Sequence, residues 1–168
     1  MESRAKLFGH PIHPMLIVFP LGLLSAAVIF DILYFITGNN LFAVVSFWNI
    51  GLGIVTGLLA ALFGFWDWLS IPSDTRAKSV GLWHGLGNVV IVLLFAISWL
   101  LRRNVTDYEP SILAFILALL GAGLAIVTGW LGGELVYRLS VGPDRGAHLD
   151  SPSSLTDRQA SEKATTRQ

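Results

Sequence analysis

The 168-residue chain contains no cysteine, which excludes disulfides, thiolate-bound clusters and a cysteine nucleophile. Charge is scarce: Asp, Glu, Lys and Arg make up 13% of the residues, and eleven basic side chains balance eleven acidic ones. A formal net charge of zero offers no electrostatic footprint for a nucleic-acid partner. What remains is apolar: 54% of the residues are hydrophobic, too many for a soluble domain of this size. They are gathered into long blocks, so the chain reads as an all-α integral membrane protein whose first partner is the lipid bilayer.

A hydrocarbon core of about 30 Å needs about 20 mostly apolar residues per helix. Four segments meet that length: 15–36, 44–69, 82–101 and 112–131. Gly38-Asn39-Asn40, Pro72-Ser73-Asp74 and Arg102-Arg103-Asn104 through Pro110 separate them. Connections this short make consecutive helices antiparallel neighbours, giving a four-helix transmembrane bundle over residues 1–142. Residues 143–168 are polar, cannot bury enough surface to offset their ordering entropy, and are expected to form a disordered tail. Trp66, Trp68, Trp83 and Trp130 fall near one interface, Trp48 and Trp99 near the other. The end bearing both termini carries Arg4, Lys6, Arg76, Lys78, Arg138 and Arg145, against Arg102 and Arg103 opposite, so the positive-inside rule puts the termini in the cytoplasm.

The four spans read as two parallel two-helix repeats. Ile54-Val55-Thr56-Gly57 recurs as Ile126-Val127-Thr128-Gly129, a shift of 72, and His13 and His84 are 71 apart. On the 72-residue shift, the small residues Gly53, Gly57, Ala60 and Gly64 align with Ala125, Gly129, Gly132 and Val136. Such a seam lets helices approach closely in lipid, and it also leaves room for a flat cofactor.

Polar groups converge at the end bearing the termini. Gly9-His10-Pro11-Ile12-His13-Pro14 forms a stiff strap; a residue before proline is disfavoured in the α region, so His10 and His13 are expected in extended backbone. Asp67 ends the second span, His84 opens the third with Asn88 one turn deeper, and Glu134 follows the fourth. The opposite end offers only Asp31, Asp107, Glu109 and Arg102-Arg103, so any chemistry is expected at the end bearing the termini.

The strap, Trp83-His84-Gly85 and Gly132-Gly133-Glu134-Leu135-Val136-Tyr137 together resemble a bacterial family of four-span membrane proteins, domain of unknown function 2231. The resemblance runs from residue 9 to about 142 and departs at Leu139-Ser140-Val141-Gly142-Pro143, where the family more usually has a glycine-valine-rich run. It implies a multi-pass protein of the bacterial inner membrane. It names no reaction, although fusion of some members to Rieske-type domains points toward electron transfer.

Two functional readings follow, beside a structural one. In the first, His13 and His84 are axial ligands of a b-type haem, with His10 and Asn88 supporting them, Arg76, Lys78 and Arg138 near the propionates, and a quinone or redox protein as partner. In the second, His10, His13 and His84 with Asp67 or Glu134 hold one Zn, Fe or Cu ion. In the third, the histidines anchor the strap of a non-catalytic subunit by hydrogen bonds, with homo-oligomerisation open in every case. Whether the protein catalyses a reaction is left open.

Overall fold

A computed structural model describes residues 1–156 and 158–163. A two-residue antiparallel ladder, β1 (Lys6–Leu7) with β2 (His10–Pro11), precedes a short helix α1 (Ile12–Leu16) and four long helices: α2 (Val18–Thr37), α3 (Asn40–Leu69), α4 (Arg76–Arg102) and α5 (Ile112–Gly133). A 3-10 turn at Thr106–Tyr108 links α4 to α5, and Glu134–Arg138 extends α5 with wider π-type winding. The four apolar spans are Ile12–Thr37, Asn40–Leu69, Arg76–Arg102 and Ile112–Arg138, of 26, 30, 27 and 27 residues.

These helices outrun the apolar segments because their caps lie in polar sequence. Asn39 Oδ1 accepts from Leu41 N at 3.0 Å, Thr75 Oγ1 from Lys78 N at 3.2 Å and Ser111 Oγ from Ala114 N at 3.2 Å. Each satisfies an orphan first-turn donor. Gly38 closes α2 at φ 68°, a left-handed cap suited to glycine. The first span is nearly continuous across Ile17, and Pro20 has no N–H to offer the carbonyl of Leu16.

The helices form a ring in the order α2, α3, α4, α5, with α2 packed most closely on α3 and α4 on α5. Leu24, Ala27, Val28, Ile50, Ile91, Phe95 and Ala118 fill its centre. The outer faces are apolar (Ile36, Leu62, Leu93 and Ile126 are all exposed), as helices solvated by lipid require.

The structure shows the duplication but corrects its register. A Cβ on Gly53 would lie 2.6 Å from Leu24 and 3.5 Å from Leu23, and one on Gly121 would lie 2.8 Å from Phe95 and 3.6 Å from Leu94. The first helices of the repeats therefore correspond at a shift of 71 and the second helices at 68, so that Ala60 matches Thr128 and Gly64 matches Gly132. The shared Ile-Val-Thr-Gly at 72 is one helical turn out of register. A slip of four residues returns nearly the same face of a helix with about 3.6 residues per turn, so small residues coincide in both alignments.

A second correction concerns the strap. His10 is extended in β2, but α1 begins at Ile12, so His13 is helical and Pro14 occupies the first turn. Proline there removes an N–H that would have no intrahelical partner. Beyond residue 142 the described residues form turns and coil with no helix or strand; residues 157 and 164–168 of the expected tail lie outside the described residues.

Candidate functional site

Asp67, at the end of α3, holds down the start of the chain. Its carboxylate accepts from Ser3 Oγ at 2.6 Å, Arg4 N at 2.8 Å and Ala5 N at 3.3 Å. The turn at Phe8 and Gly9, both at positive φ, then folds His10 and Pro11 back along Lys6 and Leu7 and delivers His13 to the bundle. On the other side, Gly142 N donates to Met1 O at 2.8 Å and Ser3 N to Gly142 O at 3.3 Å, so the strap is pinned between α3 and the chain beyond α5.

Beneath the strap the structure brings His13 and His84 together, with ring centroids 6.3 Å apart and planes at 88°. Each ring is anchored in the same way. His13 Nδ1 lies 2.8 Å from Ala60 O on α3, and His84 Nδ1 lies 2.8 Å from Thr128 O on α5. A carbonyl only accepts, so Nδ1 carries a proton and donates in both rings. Glycine makes the approach possible: a Cβ at Gly64 would stand 2.8 Å from the His13 ring, and one at Gly132 would stand 3.3 Å from His84. Anchor carbonyls and glycines correspond under the repeat, so one local device was built twice. Asn88 joins it asymmetrically. Its Nδ2 donates to His84 O at 2.8 Å and lies 3.2 Å from His84 Nε2, while its Oδ1 accepts from Thr128 Oγ1 at 3.4 Å.

The other residues expected here are held elsewhere. His10 is exposed, with Nε2 3.2 Å from Ser154 Oγ. Glu134 pairs with Arg76 at 2.7 Å, Arg138 is exposed, and Asp67 is occupied by the N-terminal segment. Among the described residues no three His, Asp or Glu side chains are arranged to hold a metal ion. The set His10, His13, His84, Asp67 and Glu134 is therefore not assembled, because the N-terminal segment and Arg76 take up its carboxylates. Lys78 turns away to Trp68, donating to its carbonyl at 2.8 Å and lying 3.9 Å above its ring.

Sequence reasoning missed a second polar cluster, deep in the opposite end. Arg102 and Asp31 are both fully buried and form a bidentate pair, NH1 to Oδ1 and NH2 to Oδ2, each at 2.7 Å. Ser46 Oγ accepts from NH1 at 3.2 Å and donates to Ala27 O at 3.0 Å. Ser98 Oγ accepts from NH2 at 2.9 Å and donates to Ala114 O at 2.6 Å. These charges are an interior lock joining the two repeats. The available signal was the numbering: Asp31 and Arg102 are 71 apart, as His13 and His84 are.

No curated protein and no solved structure matches the chain. Its strap, its four spans and the segment after α5 fall within residues 9–145, the stretch matched by the family described as predicted membrane protein (DUF2231), and the chain belongs to that family.

Proposed function

We propose that the protein is a membrane redox component in which His13 and His84 would hold a b-type haem. The supporting observation is the geometry of that pair. Imidazoles bound to one metal from opposite sides, with metal–nitrogen bonds of about 2 Å, have ring centroids roughly 6 Å apart, whereas neighbouring ligands of a tetrahedral ion come to about 5 Å. At 6.3 Å the two rings are spaced widely enough for both to reach one metal. Hydrogen bonding of both Nδ1 atoms to carbonyls supports it further, because a ligating histidine commonly fixes its orientation and basicity that way. A haem held by His13 and His84 would supply one-electron transfer. The protein's own part is to fix both rings, close the mouth with the strap and present this end to a quinone or redox protein.

In this reading the termini face the cytoplasm of a bacterial inner membrane. Burial of Arg102 supports that orientation. It leaves Arg103 as the free base of the opposite connection, while Arg4, Lys6, Arg76, Lys78, Arg138 and Arg145 remain at the terminal end.

A second reading is favoured by Asn88. With Nδ1 on Thr128 O and Nε2 near the Asn88 amide, His84 is satisfied by protein alone and serves as a structural latch under the strap. An oxidised-minus-reduced spectrum of protein purified from haem-supplied cells decides between them. Haem binding gives a reducible band lost in both His13→Ala and His84→Ala. A wild-type protein without the band, and with the same melting temperature whether or not haem is supplied, leaves the latch.

A further inference from the structure

We propose that the end bearing the termini contains a binding site for one anionic phospholipid, its phosphate held by Arg4 and Arg145. A cavity of about 410 Å³ is lined there by Met1, Glu2, Arg4, Ser70 and Arg145. The guanidinium groups of Arg4 and Arg145 have no ion pair or hydrogen bond among the described residues. The carboxylates around them are engaged. Glu2 accepts from Arg145 N at 3.0 Å and Lys6 Nζ at 3.1 Å, Asp144 is paired with Lys6, and Asp67 is taken up by Ser3, Arg4 N and Ala5 N. Two unpaired guanidiniums are a donor set suited to a phosphate group, while the Ser70 hydroxyl donates to Trp66 O at 3.3 Å.

The neighbouring cavity distinguishes a lipid from a soluble anion. It measures about 330 Å³, shares Met1 as a wall, and is lined chiefly by Ile71, Pro72, Ala77, Leu139 and Val141. A polar basic chamber beside an apolar cleft matches the headgroup and glycerol-ester region of one lipid molecule. The depth fits as well. Ser70 directly follows α3, and the exposed rings of Trp66, Trp83 and Trp130 mark the headgroup level at this end. Basic pockets at this level recognise acidic headgroups.

The test is native mass spectrometry of the full chain extracted from mixed phosphatidylcholine and phosphatidylglycerol vesicles, with melting temperature measured in each lipid alone. One phosphatidylglycerol retained preferentially, and a higher melting temperature in that lipid, is the expected result. The Arg4→Gln/Arg145→Gln variant should bind it about 30-fold more weakly, at roughly 1 kcal/mol per arginine. In phosphatidylcholine alone its melting should match wild type, because both side chains are exposed. Val141→Asn, in the apolar cleft, should weaken lipid retention with both arginines intact. No preference in the wild type, or equal retention by the arginine variant, overturns the proposal. Displacement of the lipid by inorganic phosphate, with equal stabilisation, also overturns it by assigning the site to a soluble anion.

Discussion

Asp31→Asn keeps the volume of the side chain and one acceptor but leaves the Arg102 guanidinium without a counter-charge in a fully buried position. Removing one partner of a buried pair costs about 3–5 kcal/mol, because the other charge stays desolvated. For a chain of this size, each kcal/mol corresponds to roughly 2–4 °C, so melting in detergent should fall by about 10 °C. Repeat symmetry then makes a sharper prediction. Positions 31 and 102 are equivalent, so Asp31→Arg with Arg102→Asp restores the pair with its partners exchanged between the repeats. Its recovery is only partial, because the serines are not symmetric. Under the 71 and 68 shifts, Ser98 corresponds to Ala27 and Ser46 to Ala114. The exchanged arginine therefore meets two methyl groups where two hydroxyls stood, and hydrogen bonds to a charged group contribute about 1.5–3 kcal/mol each. Adding Ala27→Ser, Ala114→Ser, Ser46→Ala and Ser98→Ala rebuilds the cluster with its partners exchanged and should return most of the remaining stability. Melting temperatures of wild type, single, double and six-site variants provide the assay. A six-site variant no more stable than the double exchange refutes the symmetry argument, and a single variant within about 2 °C of wild type refutes the energetic one.

Gly64→Ala should destabilise more than Gly132→Ala, since the added methyl would stand 2.8 Å from the His13 ring in the first and 3.3 Å from His84 in the second. Overpacking of this kind costs about 1–3 kcal/mol, and a reversed order of melting temperatures would contradict the geometry. At the strap, the Arg145 N–H and then Lys6 hold the Glu2 carboxyl below its ordinary value of 4.5. A depressed carboxyl stabilises the docked strap above that ordinary value and loses the effect as pH falls through the lower folded one. Amide exchange at Arg145, normalised for its intrinsic acid and base dependence, should therefore lose protection only on acidification below the ordinary value of 4.5. Protection unchanged there, or already lost at pH 6, would rule out Glu2 as its source.

The sequence made the bundle legible because apolar length is a strong signal in lipid, where every backbone group must be satisfied within the helix. It also singled out His13 and His84, since two histidines rarely open corresponding spans by coincidence. The spans proved longer than their apolar cores because caps such as Asn39 and Thr75 lie in polar sequence, which hydropathy does not count. Asp67 and Glu134 look like metal ligands by residue type. Neither the hold of Ser3, Arg4 and Ala5 on Asp67 nor the pairing of Glu134 with Arg76 leaves a trace in local sequence. Asp31 and Arg102 were hidden for another reason. Each stands near the end of an apolar segment, where a charge normally meets headgroups, and only the position of the symmetry axis reveals that they meet inside.

That axis bears on the proposed function. His13 and Asp31 lie eighteen residues apart, and His84 and Arg102 are separated equally. At about 1.5 Å per residue, either separation spans about 27 Å along a helix. Both pairs therefore straddle the axis between the repeats, one at the terminal end and one near the opposite end. Leu24, Ala27, Val28 and Phe95 fill the space between them and carry no side-chain proton donor or acceptor. Ser98 is turned to Ala114 O and to the guanidinium, within the far cluster. With an apolar plug separating the two polar layers, no chain of side-chain hydrogen bonds among the described residues links them. Side chains able to move a proton from His13 and His84 are therefore found on the terminal side of this plug. The Arg102–Asp31 lock can then be structural, setting the angle between the repeats and hence, at the other end of the same helices, the distance between the two imidazoles.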